Sequence, residues 1–173
     1  MAQHPAAERQ LHAELDAVLG DRLPIAADLH DLPYTTGVFA EALRLYPPAP
    51  MVFRRALEAH PVGGYVIPPG AIVVLSQWVT QRDSRFFPDP EAFEPDRWRP
   101  EARAARPRYA YFPFGGGPRV CIGEGFAAAE GALVLATVGR RCRPTLVPGS
   151  ASPLDPRRQT RPRDALRMRV ARR

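Results

Sequence analysis

The stretch that decides how this chain is read is Phe114-Gly-Gly-Gly-Pro-Arg-Val-Cys-Ile-Gly123. Gly115, Gly116 and Gly117 permit backbone conformations and close approaches that side chains would block. Cys121 falls just before a strongly alanine-rich segment, Gly123 to Arg140, that reads as a helix. Amides of the loop and of the first helical turn therefore converge near its sulfur. An electropositive setting of that kind favours a thiolate, as coordination to a metal does. Gly123 leaves room for a flat ligand to lie against the backbone. Arg119, two residues before the cysteine, can reach an anionic group at the edge of such a ligand.

Taken alone, these residues leave several readings open. Cys121 also fits a buried structural cysteine, or a disulfide partner of Cys142, the other of the two cysteines. A nucleophilic cysteine is disfavoured, because His4, His12, His30 and His60 are all distant in sequence. No Gly-Lys-Ser/Thr follows the glycines, so they do not form a phosphate loop. Nor is there a Cys-x-x-Cys-His sequence for covalent heme attachment.

The whole pattern resembles the cysteine loop of cytochromes P-450, F-x-x-G-x-R-x-C-x-G. Phe114, Gly117, Arg119, Cys121 and Gly123 occupy every fixed position. The resemblance implies a non-covalent heme b with Cys121 as the axial thiolate ligand of the iron. It further implies that Phe114 shields the sulfur and Arg119 pairs with a heme propionate. Thiolate donation pushes electron density toward iron and favours O–O cleavage.

Two constellations upstream support the resemblance. Glu41 and Arg44 are three apart in a helical stretch and share a face. By spacing alone they read as a solvated surface pair worth little. Yet the run Glu41-Ala-Leu-Arg-Leu-Tyr-Pro-Pro48 resembles the family's Glu-x-x-Arg helix, and it precedes the cysteine loop in the right order. The resemblance then brings in an arginine from a later irregular segment, here Arg97 in Phe93-Glu-Pro-Asp-Arg-Trp98, with Trp98 where phenylalanine is common. Arg54 falls where relatives place a second propionate-binding arginine, and Ala49 to Phe53 match the stretch lining the substrate side of the heme. The chain departs from the family at Gln81-Arg82-Asp83-Ser84, where relatives often read His-Arg-Asp-Pro; a looser local turn is expected there.

Around these motifs, the patterning predicts an α+β chain, mainly α-helical with small β-sheets. A helix is expected from Pro5 to Leu19, with Leu11, Leu15, Val18 and Leu19 at helical spacing and Gly20 ending it. A second runs from Pro33 to Leu45, capped by Asp31 and stopped by Pro47-Pro48. Strands are expected at Val52 to Leu57, Tyr65 to Ile67 and Ala71 to Leu75, punctuated by Gly63-Gly64 and Pro69-Gly70. A short helix follows from Ser76 to Arg82. Prolines break every run from Asp83 to Arg108, and ordered coil of that length is usually functional. In the helix after Cys121, the expected buried face is Phe126, Leu133, Val134 and Val138. Short strands close the chain at Thr145 to Val147 and Leu166 to Val170.

Composition bounds the rest. The 173 residues suit one domain, and 45% hydrophobic content supports a packed core rather than disorder. The 21 prolines and 13 glycines favour a loop-rich architecture over a helical bundle. The net charge is +6, and every basic residue counted with it is arginine, which points to GC-rich coding and a bacterial source. Two cysteines make no disulfide framework, so a reducing compartment is expected. The first twenty residues contain no signal peptide or membrane anchor, and the location reads as cytoplasmic.

The resemblance reaches from the first helix to the last strands, but it implies only the carboxy-terminal part of the cytochrome P-450 fold. Residues 1–173 are expected to form one partial domain, truncated before the helix that crosses the distal face of the heme. The family activity is insertion of one oxygen atom from O₂ into an apolar organic substrate. Its electrons would come from a ferredoxin, flavodoxin or flavoprotein reductase on a basic face with Arg106, Arg108 and Arg119. A missing distal half is a further expected partner. The alternative is a truncated, non-catalytic piece that holds no stable heme. A third reading, a basic nucleic-acid-binding module using the Arg157 to Arg173 tail, lacks any recognised fold or stacking pattern, so no nucleic acid is expected.

Overall fold

The computed structural model describes residues 1–150, 152–155 and 160–173. Helix α1 spans Pro5–Leu19 and α2 spans Pro33–Leu45, both opening on a proline that has no amide to leave unpaired. Gly20 ends α1 with φ at +52°, and its N–H reaches the Asp16 carbonyl at 3.2 Å. Helix α5, Glu124–Arg141, is the long helix that follows Cys121. The core forms where these three helices meet, around Leu11, Leu15, Leu19, Leu32, Val38 and Ala136.

The start of α2 is capped differently from the sequence expectation. Leu32, not Asp31, holds the cap position, and no side chain of its own caps the helix. Glu14 of α1 does so instead: its carboxylate accepts from the Tyr34 N–H at 2.6 Å, the Thr35 N–H at 2.8 Å and the Thr35 hydroxyl at 2.7 Å. A carboxylate at a helix N-terminus meets unpaired amides and the positive end of the dipole. The same contact fixes α1 against α2. No local rule finds it, because the cap comes from 20 residues away.

Helix α5 presents the opposite face from the one its large apolar residues suggest. Ala132, Ala136 and Gly139 are buried, whereas Phe126 is 73% exposed and Val134 and Val138 lie outward; Leu133 is half-buried. Packing explains the inversion. A Cβ on Gly139 would lie 3.1 Å from Leu15 Cδ1, and one on Gly131 would overlap the Phe39 ring. The small residues form the notch that lets α1 and α2 approach closely, so the large ones must point elsewhere.

Among the described residues, four two-stranded antiparallel sheets border the helices. Strand β1 (Val52–Arg55) pairs with β4 (Ile72–Leu75), setting Phe53 opposite Val74 and Arg54 opposite Val73. Between them, β2 (His60–Val62) and β3 (Tyr65–Ile67) form a hairpin. Its two-residue turn, Gly63-Gly64, has φ of +55° and +83°, the left-handed pair that a tight hairpin needs. Strand β5 (Cys142–Leu146) leaves α5 directly, starting three residues before the expected strand and ending one before it, and pairs with β8 (Met168–Arg172), which is shifted two residues later than expected. The remaining pair is β6 (Leu154–Asp155) with β7 (Arg161–Pro162). Arg173 then reaches back: its guanidinium donates to Asp16 Oδ2 at 2.7 Å and to the Gly139 carbonyl at 3.0 Å.

Helix α3 is a single turn, Gln77–Thr80, whose amide at Val79 donates to the Ser76 hydroxyl. The proline-rich stretch beyond it is ordered by short pieces, a 3-10 turn at Pro95–Trp98 and helix α4 at Pro100–Ala104. Phe87 is wholly buried beneath it. No helix among the described residues is long and apolar enough to cross a membrane.

Candidate functional site

The irregular stretch keeps its shape because it is bonded to α2. Glu41 and Arg44 are both wholly buried, not a surface pair. Arg44 Nε and Nη2 donate to the two Glu41 oxygens at 2.8 Å each, the fork geometry that suits guanidinium to carboxylate. The remaining donors of Arg44 go to backbone carbonyls of Gln81 at 2.9 Å, Pro90 at 2.6 Å and Ala92 at 2.9 Å. Glu41 accepts two further bonds, from the Glu94 N–H at 2.9 Å and the Trp98 indole N–H at 3.0 Å. Arg97 Nε stands 3.5 Å from Glu41 Oε1, and its Nη2 bonds Glu94 at 2.9 Å. The three residues singled out in the sequence are thus brought together, and Trp98 closes the group.

Arg106 was missed as part of this cluster. Its guanidinium lies 4.5 Å from the Trp98 ring centre and 5.0 Å from that of Phe87, and it donates to the Arg97 carbonyl. Burial lowers its pKa. It therefore does not belong to an outward basic face as expected; Arg108 and Arg119 do remain exposed. The departure at Gln81 does not loosen the turn either. The Phe86 and Phe87 amides both reach the Asp83 carbonyl at 3.0 Å, and Asp83 Oδ1 accepts from the Arg85 N–H at 2.9 Å. An open cleft of about 630 Å³ borders this region, lined by Arg85, Phe86, Phe87, Arg97 and Arg106, and no residue of the cysteine loop lines it.

The loop itself is a compact turn. Gly115 N–H donates to the Phe112 carbonyl at 2.9 Å, and Cys121 N–H donates to the Phe114 carbonyl at 3.0 Å. Its glycines are needed for two different reasons. Gly115 and Gly117 have φ of +79° and +69°, a region costly for other residues. A Cβ on Gly116 would come within 2.9 Å of the Tyr109 ring. Gly123 differs again: a Cβ there would meet only Cys121 Sγ, at an ordinary 3.8 Å. Nothing in the chain's own packing demands glycine at 123, and its absent side chain leaves space beside the sulfur.

Cys121 is a free, exposed thiol, and Cys142 is a free, half-buried one. That removes both bland alternatives, the buried structural cysteine and the disulfide. Cys121 stands three residues before the first residue of α5, and its carbonyl accepts from the Glu124 N–H at 3.3 Å. Phe114 is half-buried, and Arg119 is exposed at the end of the 3-10 turn Gly117–Arg119. Ile122 and Phe126, both well exposed, give the loop an apolar border. Arg54 is half-buried on β1 and donates to the Phe53 carbonyl at 2.9 Å; its described hydrogen bonding does not join it to the loop.

The comparisons with known proteins agree with this architecture. The family model described as Cytochrome P-450 matches residues 1–167. Over 150 residues the chain is 46% identical to cyclooctatin synthase of Streptomyces melanosporofaciens, and the match covers 87% of this chain and 33% of that protein. Cyclooctat-9-en-7-ol 5-monooxygenase from the same organism is 40% identical, with the same 87% and 33% coverage. The solved structure of retinoic acid-bound cyanobacterial CYP120A1 superposes with a TM-score of 0.92 at 31% identity, over 99% of this chain and 40% of its own. The chain therefore spans about a third of the length of these curated relatives. Nothing in these matches favours a nucleic-acid module. Residues 157–159 of the basic tail lie outside the described residues, and Arg173 is engaged by Asp16. With its helices, small sheets and motif-bearing loop all matched, this chain belongs to the cytochrome P-450 family.

Proposed function

We propose that this chain forms the thiolate-bearing side of a heme monooxygenase site, with Cys121 as the iron ligand. The observation that carries the reading is the state of that sulfur. It is exposed, unpaired by any disulfide, set at the entrance to an 18-residue helix, and bordered by a glycine that packing does not require. Heme b fits the donor set: one thiolate, an apolar border at Ile122 and Phe126, and an exposed arginine for a propionate. Arg119 takes one propionate in this reading, and Arg54 the second. Phe114 covers the sulfur from the loop side, and Gly117 and Gly123 let the backbone approach the ring.

Bound there, the heme would supply oxygen activation and oxygen insertion into an apolar substrate. The chain's own residues hold that group in place. The Glu41–Arg44–Arg97 cluster fastens the irregular stretch to α2 and so supports the loop from behind. Electrons would come from a ferredoxin, flavodoxin or flavoprotein reductase, as is general in the family, and exposed Arg108 suits an acidic partner. The second relative's name, cyclooctat-9-en-7-ol 5-monooxygenase, denotes an unsaturated alcohol as what that protein acts on, and this favours a largely hydrocarbon substrate here. Its matching segment is a third of that protein, so the remaining part of a complete site would come from further polypeptide.

One observation favours a second reading, in which the motifs persist without a retained heme. Ile122 and Phe126, then Val134 and Val138, form an exposed apolar ridge interrupted by Glu130, and uncovered patches of this kind mark a missing cover. The difference spectrum of the reduced, carbon monoxide-treated protein separates the two. A strongly red-shifted Soret band that Cys121→Ala abolishes is expected. No retained heme, or a band indifferent to that substitution, would overturn ligation by Cys121.

A further inference from the structure

Gln81 is wholly buried, and its side-chain amide joins two elements far apart in sequence. Nε2 donates to the Leu43 carbonyl at 3.1 Å and the Arg44 carbonyl at 3.0 Å, both in the last turn of α2. Carbonyls there have no partner within the helix. Oε1 accepts from the Phe112 N–H at 3.0 Å. Phe112 opens the turn whose other bonds are Gly115 N–H to the Phe112 carbonyl and Cys121 N–H to the Phe114 carbonyl. One uncharged side chain thus links the helix carrying Glu41 and Arg44 to the loop carrying Cys121. Few side chains can take its place. A primary amide presents two donors and an acceptor on one planar end. A carboxylate has no donor for the two carbonyls, and an apolar side chain of equal size has neither function.

We propose that Gln81 is a positioning residue for Cys121, fixing the entry to the cysteine loop relative to α2 and so the place where the sulfur is held. This rests on the reading of Cys121 as the iron ligand, yet its main test needs no heme. A residue that merely stabilised the fold would act on all helices alike. One that positions the loop acts on amides it does not touch, those of Gly115 and Cys121, while leaving α1 as it was.

Hydrogen exchange on the whole chain reads this directly. In Gln81→Met the Gly115 and Cys121 amides should exchange about tenfold faster or more, with α1 and α5 amides changed by less than about twofold. Should that variant fail to fold, Gln81→His, which keeps one donor and one acceptor, gives the same comparison with an acceleration of about threefold. Loaded with heme and reduced under carbon monoxide, the substituted protein should also show a smaller share of the red-shifted band than the parent. Unchanged exchange at Gly115 and Cys121 overturns the proposal. Equal acceleration across α1, α2 and the loop overturns it too, since Gln81 would then only hold the fold together. If Cys121→Ala leaves the spectrum unaltered, the ligand reading fails, while the exchange data still decide whether Gln81 fixes the loop.

Discussion

The cluster around Glu41 and the rim around Cys121 are built on opposite terms. In the first, the central buried charges are met by hydrogen bonds: both Glu41 oxygens and every nitrogen of Arg44 have partners, and aromatic rings close the remaining sides. The flanking Arg97 leaves its buried Nε without a hydrogen bond, at 3.5 Å from Glu41. In the second, a thiol, an arginine and apolar side chains all face outward. The contrast separates what this chain completes for itself from what it offers to something else. A charge cluster of that kind is tolerable only when satisfied. A ligand site is useful only while its reactive groups are not.

The comparison breaks most visibly at Arg44. Arg44→Ala strands a buried carboxylate, and a loss of roughly 3–5 kcal/mol is expected, read as a shift in the urea midpoint. Trp98→Phe keeps the ring but removes the donor to Glu41, with an expected loss of about 1.5–3 kcal/mol by the same measurement. The outer edge of the cluster is sensitive to acid. The Arg85 side chain and backbone hold the Asp83 pKa down to about 2, from an ordinary value of 3.8. The stabilising share of Asp83 is therefore full above pH 3.8 and declines as pH falls through about 2. Asp83→Asn should flatten the stability profile in that interval without levelling it, because Asp28, clamped by Arg22, titrates there too. On the outward rim, Phe126→Ala and Val134→Ala should each cost less than about 0.5 kcal/mol, the range of ordinary surface changes. A loss there comparable to that at Trp98 would mean the ridge is covered in solution, and the contrast between the two regions would collapse.

Sequence reading fared best where chain geometry alone decides. The bounds of α1 and α2 follow from a proline at the start and a glycine or paired prolines at the end, and they were recovered to the residue. Reading failed where one element borrows from another. Glu14 caps α2 from α1, and Arg106 is drawn inward by two rings, contacts that no local pattern contains. The error on α5 has a different origin. Helical periodicity assumes that large apolar residues mark the inner face, but here close helix approach selects alanine and glycine for it. The burial of Glu41 and Arg44 was legible only through family resemblance, since their spacing describes a solvated pair equally well. The cysteine motif located the loop, but the amide of Gln81 behind it became visible only in three dimensions.

The bond from Arg173 to Asp16 sets a timetable. These residues lie 157 positions apart, and the same guanidinium also holds the end of α5 against which α1 packs. At about 5–20 residues per second, a ribosome needs roughly 8–30 s to go from one to the other. Within that interval the leucines of α1 gain Leu32 and Val38 early and Ala136 of α5 only much later. The packing of α1 is therefore completed in stages: α2 is at hand first, the small-residue face of α5 follows, and the clamp by Arg173 arrives after both.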